Sequence, residues 1–190
     1  MKLNVRRMIL IALFAALTAV GGLLKIPMPP VPFTLQLFFC LLAGLLLGPL
    51  DGALSQVLYI VIGLVGIPVF SQGGGPGYVL MPTFGYLLGL IPCAYLAGRI
   101  ARDPLAKLPR MMAGVGAGIL ALYLIGVPYL YFMINAFSGA MTFKSALWSG
   151  MVIFLPMDIA KGLLASVITL MVRRRLPQRV REAENRHGIK

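Results

Sequence analysis

The chain has 190 residues, of which 59% are hydrophobic and 12% charged, and its mean hydropathy is +0.93. A water-facing surface does not tolerate that composition, so a soluble globular domain is excluded and the solvent is lipid. The formal charge of +12 does not mark a nucleic-acid binder either, because the basic residues flank apolar runs and form no face with interleaved aromatics.

No Asp, Glu, Lys or Arg occurs from Ile26 to Leu50, from Gly52 to Gly98, or between Arg110 and Lys144. An Arg or Asp at a helix centre costs roughly 2.5 to 3.5 kcal/mol to insert, so such runs mark membrane interior. A crossing takes about 20 apolar residues. Turns and charges then divide the chain into predicted helices at 8–26, 33–49, 52–67, 79–99, 111–134 and 146–172. The expected fold is an all-α integral membrane protein of six transmembrane helices over residues 1–176, followed by a basic tail at 177–190.

The basic start and the uncharged stretch from Met8 to Leu24 have the outline of a secretory signal. No clear A-x-A site follows, however, and further apolar spans come at once, so this stretch reads as the first crossing. It carries Ala12, Ala15, Ala16 and Ala19, small residues whose recurrence permits close helix approach, either inside the protein or by a partner. The prolines of Ile26–Pro32 then block helix continuation and make an ordered loop. Gly48-Pro-Leu-Asp-Gly52 is a tight turn, Gly66–Gly77 a longer glycine-rich loop, and the segment with Arg99, Arg102, Asp103, Lys107 and Arg110 a polar one. Cys40 and Cys93 lie in apolar runs without metal-type spacing and read as small buried hydrophobes.

Orientation follows from Lys and Arg, which cytoplasmic loops retain. Fourteen of the seventeen fall before the first span, between the fourth and fifth, or after the sixth. The opposite loops hold only Lys25 and Lys144. Six spans with both termini cytoplasmic satisfy the rule, and the proline- and glycine-rich loops then face outward.

Asp158 and Lys161 are the only acid and the only base well inside any predicted span. Their i, i+3 spacing puts them on one helix face. Intramembrane ionisable groups are costly and mark functional sites by default, although two of them can also simply neutralise each other. An ammonium donates to a ligand carboxylate, and a carboxylate accepts from N–H groups, so the pair suits a small molecule with an acidic end and an amide-like end. Pro156, just before, disrupts the helix ladder and frees a carbonyl near Val152. At the start of the fourth span, Met81-Pro-Thr-Phe-Gly-Tyr86 offers a hydroxyl and two rings, which fit an interfacial belt as well as a binding site.

Enzymatic chemistry finds little support. There is no G-x-x-x-x-G-K-[ST] loop, and the single histidine, His187, lies in the polar tail, which excludes an H-E-x-x-H zinc site and a histidine-based triad. No cofactor is implied.

Five ordered motifs identify a resemblance: Pro30-Val-Pro-Phe-Thr-Leu-Gln36, Gly48-Pro-Leu-Asp-Gly-Ala-Leu-Ser-Gln56 with Tyr59, Gly63-Leu-Val-Gly-Ile-Pro-Val-Phe70, Pro82-Thr-Phe-Gly-Tyr86 and Pro156-Met-Asp-Ile-Ala-Lys161. Together they resemble the BioY family, the biotin-specific substrate-capture (S) components of energy-coupling factor (ECF) transporters. The resemblance implies a six-helix protein of the cell membrane that takes biotin from outside into a pocket under the outer loops. It implies as partners a separate membrane scaffold and two cytoplasmic ATPases, which alone use ATP, with the alanine face of the first helix against the scaffold. By similarity, Asp158 accepts from the ureido N–H groups, Lys161 pairs with the valerate carboxylate, and Phe33, Thr34, Val69, Phe70, Thr83 and Tyr86 line and lid the pocket. Met81 and Phe84 are expected at the site beside them but depart from the family pattern, which favours a glycine or an amide side chain at the first position and a small residue at the second. The rival expectation is an autonomous secondary carrier of a small carboxylate-bearing molecule, in which Asp158 binds and releases a proton. A small membrane-embedded enzyme has only the Asp158 and Lys161 pair in its favour.

Overall fold

A computed structural model describes residues 4–103, 105–137, 139 and 141–175. The expected tail at 177–190 lies outside them. Among these residues six long helices follow one another: α1 (Val5–Leu23), α2 (Gln36–Leu47), α3 (Pro49–Leu64), α4 (Phe84–Ile100), α5 (Leu108–Phe137) and α6 (Phe143–Arg175). α1, α5 and α6 are long and apolar enough to cross a membrane by themselves, while α2, α3 and α4 are apolar but shorter.

The sequence expectation holds for the number of helices and misses two starts. Residues expected to begin the second crossing are extended: Phe33–Thr34 pairs antiparallel with Lys25–Ile26, in register Lys25 to Thr34 and Ile26 to Phe33. The proline loop between them closes a small hairpin, and α2 keeps only 12 residues, about 18 Å at 1.5 Å per residue. The expected fourth crossing is likewise split, with a 3-10 turn at Pro76–Leu80 and α4 starting at Phe84. Both shortfalls lie on the same end of the molecule, so chain that an uninterrupted helix would occupy becomes loop over the helix ends.

Contacts at the other end gather the start of α1, the α2–α3 turn, the α4–α5 turn and the end of α6. Arg7 donates to both oxygens of Asp51, at 2.8 and 2.5 Å. Asp51 sits in the first turn of α3, where a carboxylate meets the positive end of the helix dipole. The Arg173 guanidinium donates to the carbonyls of Leu45 (2.6 Å), Ala101 (3.2 Å) and Asp103 (2.9 Å), satisfying acceptors that the ends of α2 and α4 leave open. These two arginines thus tie together the helix ends at one face, and the chain passes up and down between two faces.

α4 is central, packing on α2, α3 and, most extensively, α5. Gly44 explains how the short α2 comes so close: a Cβ there would lie 2.3 Å from the Ala94 carbonyl oxygen of α4. Helix association in lipid relies on this kind of backbone approach because apolar side chains gain little by leaving lipid for protein. Cys40 and Cys93 are both free and buried, and the Cys40 thiol donates to the Leu90 carbonyl at 3.2 Å.

On α1 the alanines divide. Ala15 is buried in the helix packing and Ala19 half-buried, whereas Ala12 and Ala16 are exposed. All four lie within about 100° of one another around the helix, on the border of the face that α2 and α3 cover, so Ala15 packs inside the protein while Ala12 and Ala16 stay open to a partner.

Candidate substrate-binding site

A cavity of about 620 Å³, counting its open mouth, lies between α2, α4, α5 and α6 under the hairpin and the glycine-rich loop. Its long walls are Leu37, Leu87, Leu90, Leu122 and Phe154. Polar groups enter at separate places, which is the pattern of a small-molecule pocket.

The first polar group is on α6. Lys161 Nζ lies 2.8 Å from Asp158 Oδ1, and both side chains are buried. The ammonium also stands over the Phe33 ring, 3.9 Å from its centroid. This is close cation–π geometry, and the hairpin supplies the ring. The second Asp158 oxygen, Oδ2, accepts from the Tyr123 hydroxyl of α5 at 2.5 Å. The buried carboxylate thus has a strong donor on each oxygen, which burial of a charge requires.

The second polar group is a line of hydroxyls. Ser71 Oγ and Tyr78 Oη are 3.4 Å apart, as are Tyr78 Oη and Thr83 Oγ1, and all three residues line the cavity. A third lies at the hairpin, where Thr34 donates to Gln36 Oε1 at 2.9 Å and Gln36 Nε2 donates to the Tyr59 hydroxyl at 2.5 Å. That hydroxyl in turn donates to the Val69 carbonyl at 3.1 Å, tying the glycine-rich loop to α3.

α6 is locally irregular where it faces the cavity. Trp148–Val152 forms a π-turn, and Leu155–Arg175 resumes as an α-helix with Pro156 in its first turn, where its missing N–H is tolerated. Phe154 N–H bonds to Met151, three residues back, and the Gly150 carbonyl accepts from the Tyr86 hydroxyl of α4 at 2.8 Å. A Cβ at Gly150 would lie 2.4 Å from that hydroxyl, so only glycine admits the bond.

Of the residues expected at the site, Asp158, Lys161, Tyr86, Thr83, Phe33 and Thr34 line the cavity. Four do not. Phe70 is buried between Tyr59 (5.4 Å) and Tyr78 (4.5 Å) with its ring against Gly63, so it shapes the loop behind the wall. Val69 contributes its carbonyl to Tyr59. Phe84 turns toward Tyr129, with ring centres 6.0 Å apart, and Met81 is exposed at the break before α4. Tyr123, Gln36, Ser71 and Tyr78 line the cavity as well, and the sequence reading does not point to them. The one available signal was that a buried acid needs donors from another helix at its own depth, and Tyr123 lies midway along α5. Among the described residues no three His, Cys, Asp or Glu side chains gather to hold a metal ion.

Known proteins share this architecture. A probable biotin transporter BioY of Lysinibacillus sphaericus is 50% identical over 131 residues, 67% of this chain and 66% of that protein. The biotin transporter BioY of Thermotoga maritima is 35% identical over 170 residues, 89% of this chain and 96% of its own. The solved S-component for biotin from an ECF-type ABC transporter superposes with a TM-score of 0.80 at 26% identity, covering 93% of this chain and 96% of that one. With six helices in that arrangement, the chain is a multi-pass membrane protein. Residues 1–178 match the BioY family model, and the chain belongs to the BioY family.

Proposed function

We propose that this protein is the membrane component that captures biotin for uptake, binding it in the cavity between α2, α4, α5 and α6. The observation that carries the reading is the buried Asp158–Lys161 pair facing that cavity, in a chain whose relatives are biotin transporters. Biotin has a ureido ring with two N–H donors, an apolar sulfur ring and valeryl chain, and a carboxylate. Asp158 accepts from the ureido N–H groups, Lys161 pairs with the carboxylate, and the leucine and phenylalanine walls cover the middle. Because the two polar ends of biotin are separated by its rings and chain, both contacts form together only when the 2.8 Å pair opens. The four-carbon stem of Lys161 allows that movement.

The protein resides in the cell membrane with both termini cytoplasmic, and the cavity opens outward beneath the hairpin and the glycine-rich loop. Uptake depends on a membrane scaffold and two ATPase subunits of an ECF transporter, and the exposed Ala12 and Ala16 of α1 give a flat surface for the scaffold. Titration calorimetry of the purified protein tests the capture step. One biotin is expected to bind per chain at micromolar concentration or below, and absence of heat at those concentrations would remove biotin as the substrate.

A further inference from the structure

Tyr123 is a buried tyrosine on α5 that touches the acid of the site and belongs to none of the five motifs. Its hydroxyl donates to Asp158 Oδ2 at 2.5 Å, while Oδ1 of the same carboxylate takes Lys161 at 2.8 Å. The ring is itself fixed, edge-on to Tyr86 with centres 6.4 Å apart, and Tyr86 is anchored by its bond to the Gly150 carbonyl. The two oxygens of Asp158 therefore have unequal partners. Oδ2 is held by a short, stiff side chain from a neighbouring helix, and Oδ1 by a long, flexible one from its own helix.

We propose that Tyr123 is a positioning residue for ligand capture: it fixes Asp158 through Oδ2, so that Oδ1 is exchanged between Lys161 and an N–H donor of the ligand. Without Tyr123, departure of Lys161 toward the ligand carboxylate would leave a buried carboxylate with one oxygen unpartnered and free to rotate. With it, the acceptor stays aimed into the cavity throughout. The role deepens the biotin reading and rests on it for the identity of the donor.

The test is a binding cycle of wild type, Tyr123→Phe, Asp158→Asn and the double variant, each purified at full length and titrated with biotin. A hydrogen bond to a charged group is worth roughly a tenfold to hundredfold change in equilibrium constant. Because the Tyr123 bond is present with and without ligand, that factor is the ceiling: Tyr123→Phe is expected to weaken biotin by at least about fivefold alone and by less than about twofold in the Asp158→Asn background, where there is no carboxylate left to position. An equal loss in both backgrounds would overturn the proposal, because it would mean that the tyrosine acts through packing. A second, ligand-free readout is the carboxylate infrared band of Asp158, isolated by 13C-aspartate labelling and subtraction of the Asp158→Asn spectrum. Tyr123→Phe is expected to shift this band, and an unmoved band would overturn the positioning role. If the wild type ignores biotin but the band shifts, the substrate reading fails and the positioning role stands.

Discussion

At the scale of single residues, the site cancels its own charges. Asp158 and Lys161 pair, Phe33 covers the ammonium, and Tyr123 covers the carboxylate. Breaking a buried pair by removing one partner costs about 3 to 5 kcal/mol where the remaining charge is left uncompensated. Here Tyr123 offsets part of that cost for Asp158, and a ligand carboxylate offers Lys161 a new partner. Lys161→Ala therefore separates the two ends of biotin. The acid loses its ion pair, whereas the neutral biotin amide had none to lose, so biotin is expected to weaken at least tenfold more than the amide in parallel titrations. Equal losses would take Lys161 out of the carboxylate role. The pair itself was legible in the sequence, since two charges inside a long apolar run stand out against their cost. The partners of the pair were not: Tyr123 is one of several tyrosines in uncharged stretches, and its link to Asp158 exists only through the packing of α5 on α6.

At the scale of elements, the site depends on places where helices are interrupted. Proline and glycine announced the loops, and the sequence placed most helix ends within a few residues. The short α2, the late start of α4 and the π-turn were not legible, because each replaces apolar helix by an equally apolar segment of another shape. Hydrophobic patterning does not distinguish these. The π-turn is the most consequential, since it presents the Gly150 carbonyl to Tyr86 and precedes the turn bearing Asp158. Gly150→Ala puts a methyl group 2.4 Å from the Tyr86 hydroxyl and 2.8 Å from Leu130 Cδ2. A loss of about 1 to 3 kcal/mol in unfolding free energy is expected from such overpacking, measured by denaturation in detergent. In a Tyr86→Phe background, where the hydroxyl is gone, the same substitution is expected to cost less. Identical costs in the two backgrounds would show that the Tyr86 contact does not set the requirement for glycine.

At the scale of the whole molecule, the two faces divide the labour. One is fastened by Arg7 to Asp51 and by Arg173 across the ends of α2 and α4, and it carries most of the basic residues among those described. The other holds the hairpin and the glycine-rich loop, where Lys25 donates to the Ser71 carbonyl and Tyr129 to that of Val79. The up-and-down arrangement was legible from charge, because fourteen basic residues accumulate before the first span, between the fourth and fifth, and after the sixth. The split of the α1 alanines into buried and exposed members was not, since it depends on which side α2 and α3 cover. These features together support the capture role proposed above: a largely apolar pocket with an open mouth and a buried charged pair, exposed small residues on α1, and a sequence without the G-x-x-x-x-G-K-[ST] loop. The direct measurement is uptake of radiolabelled biotin by liposomes holding this protein alone, with an imposed pH gradient. The expected result is saturable retention of at most one biotin per chain, unchanged when the gradient is collapsed. Accumulation beyond that stoichiometry under the gradient, or no retention at all, would contradict capture by a partner-dependent component.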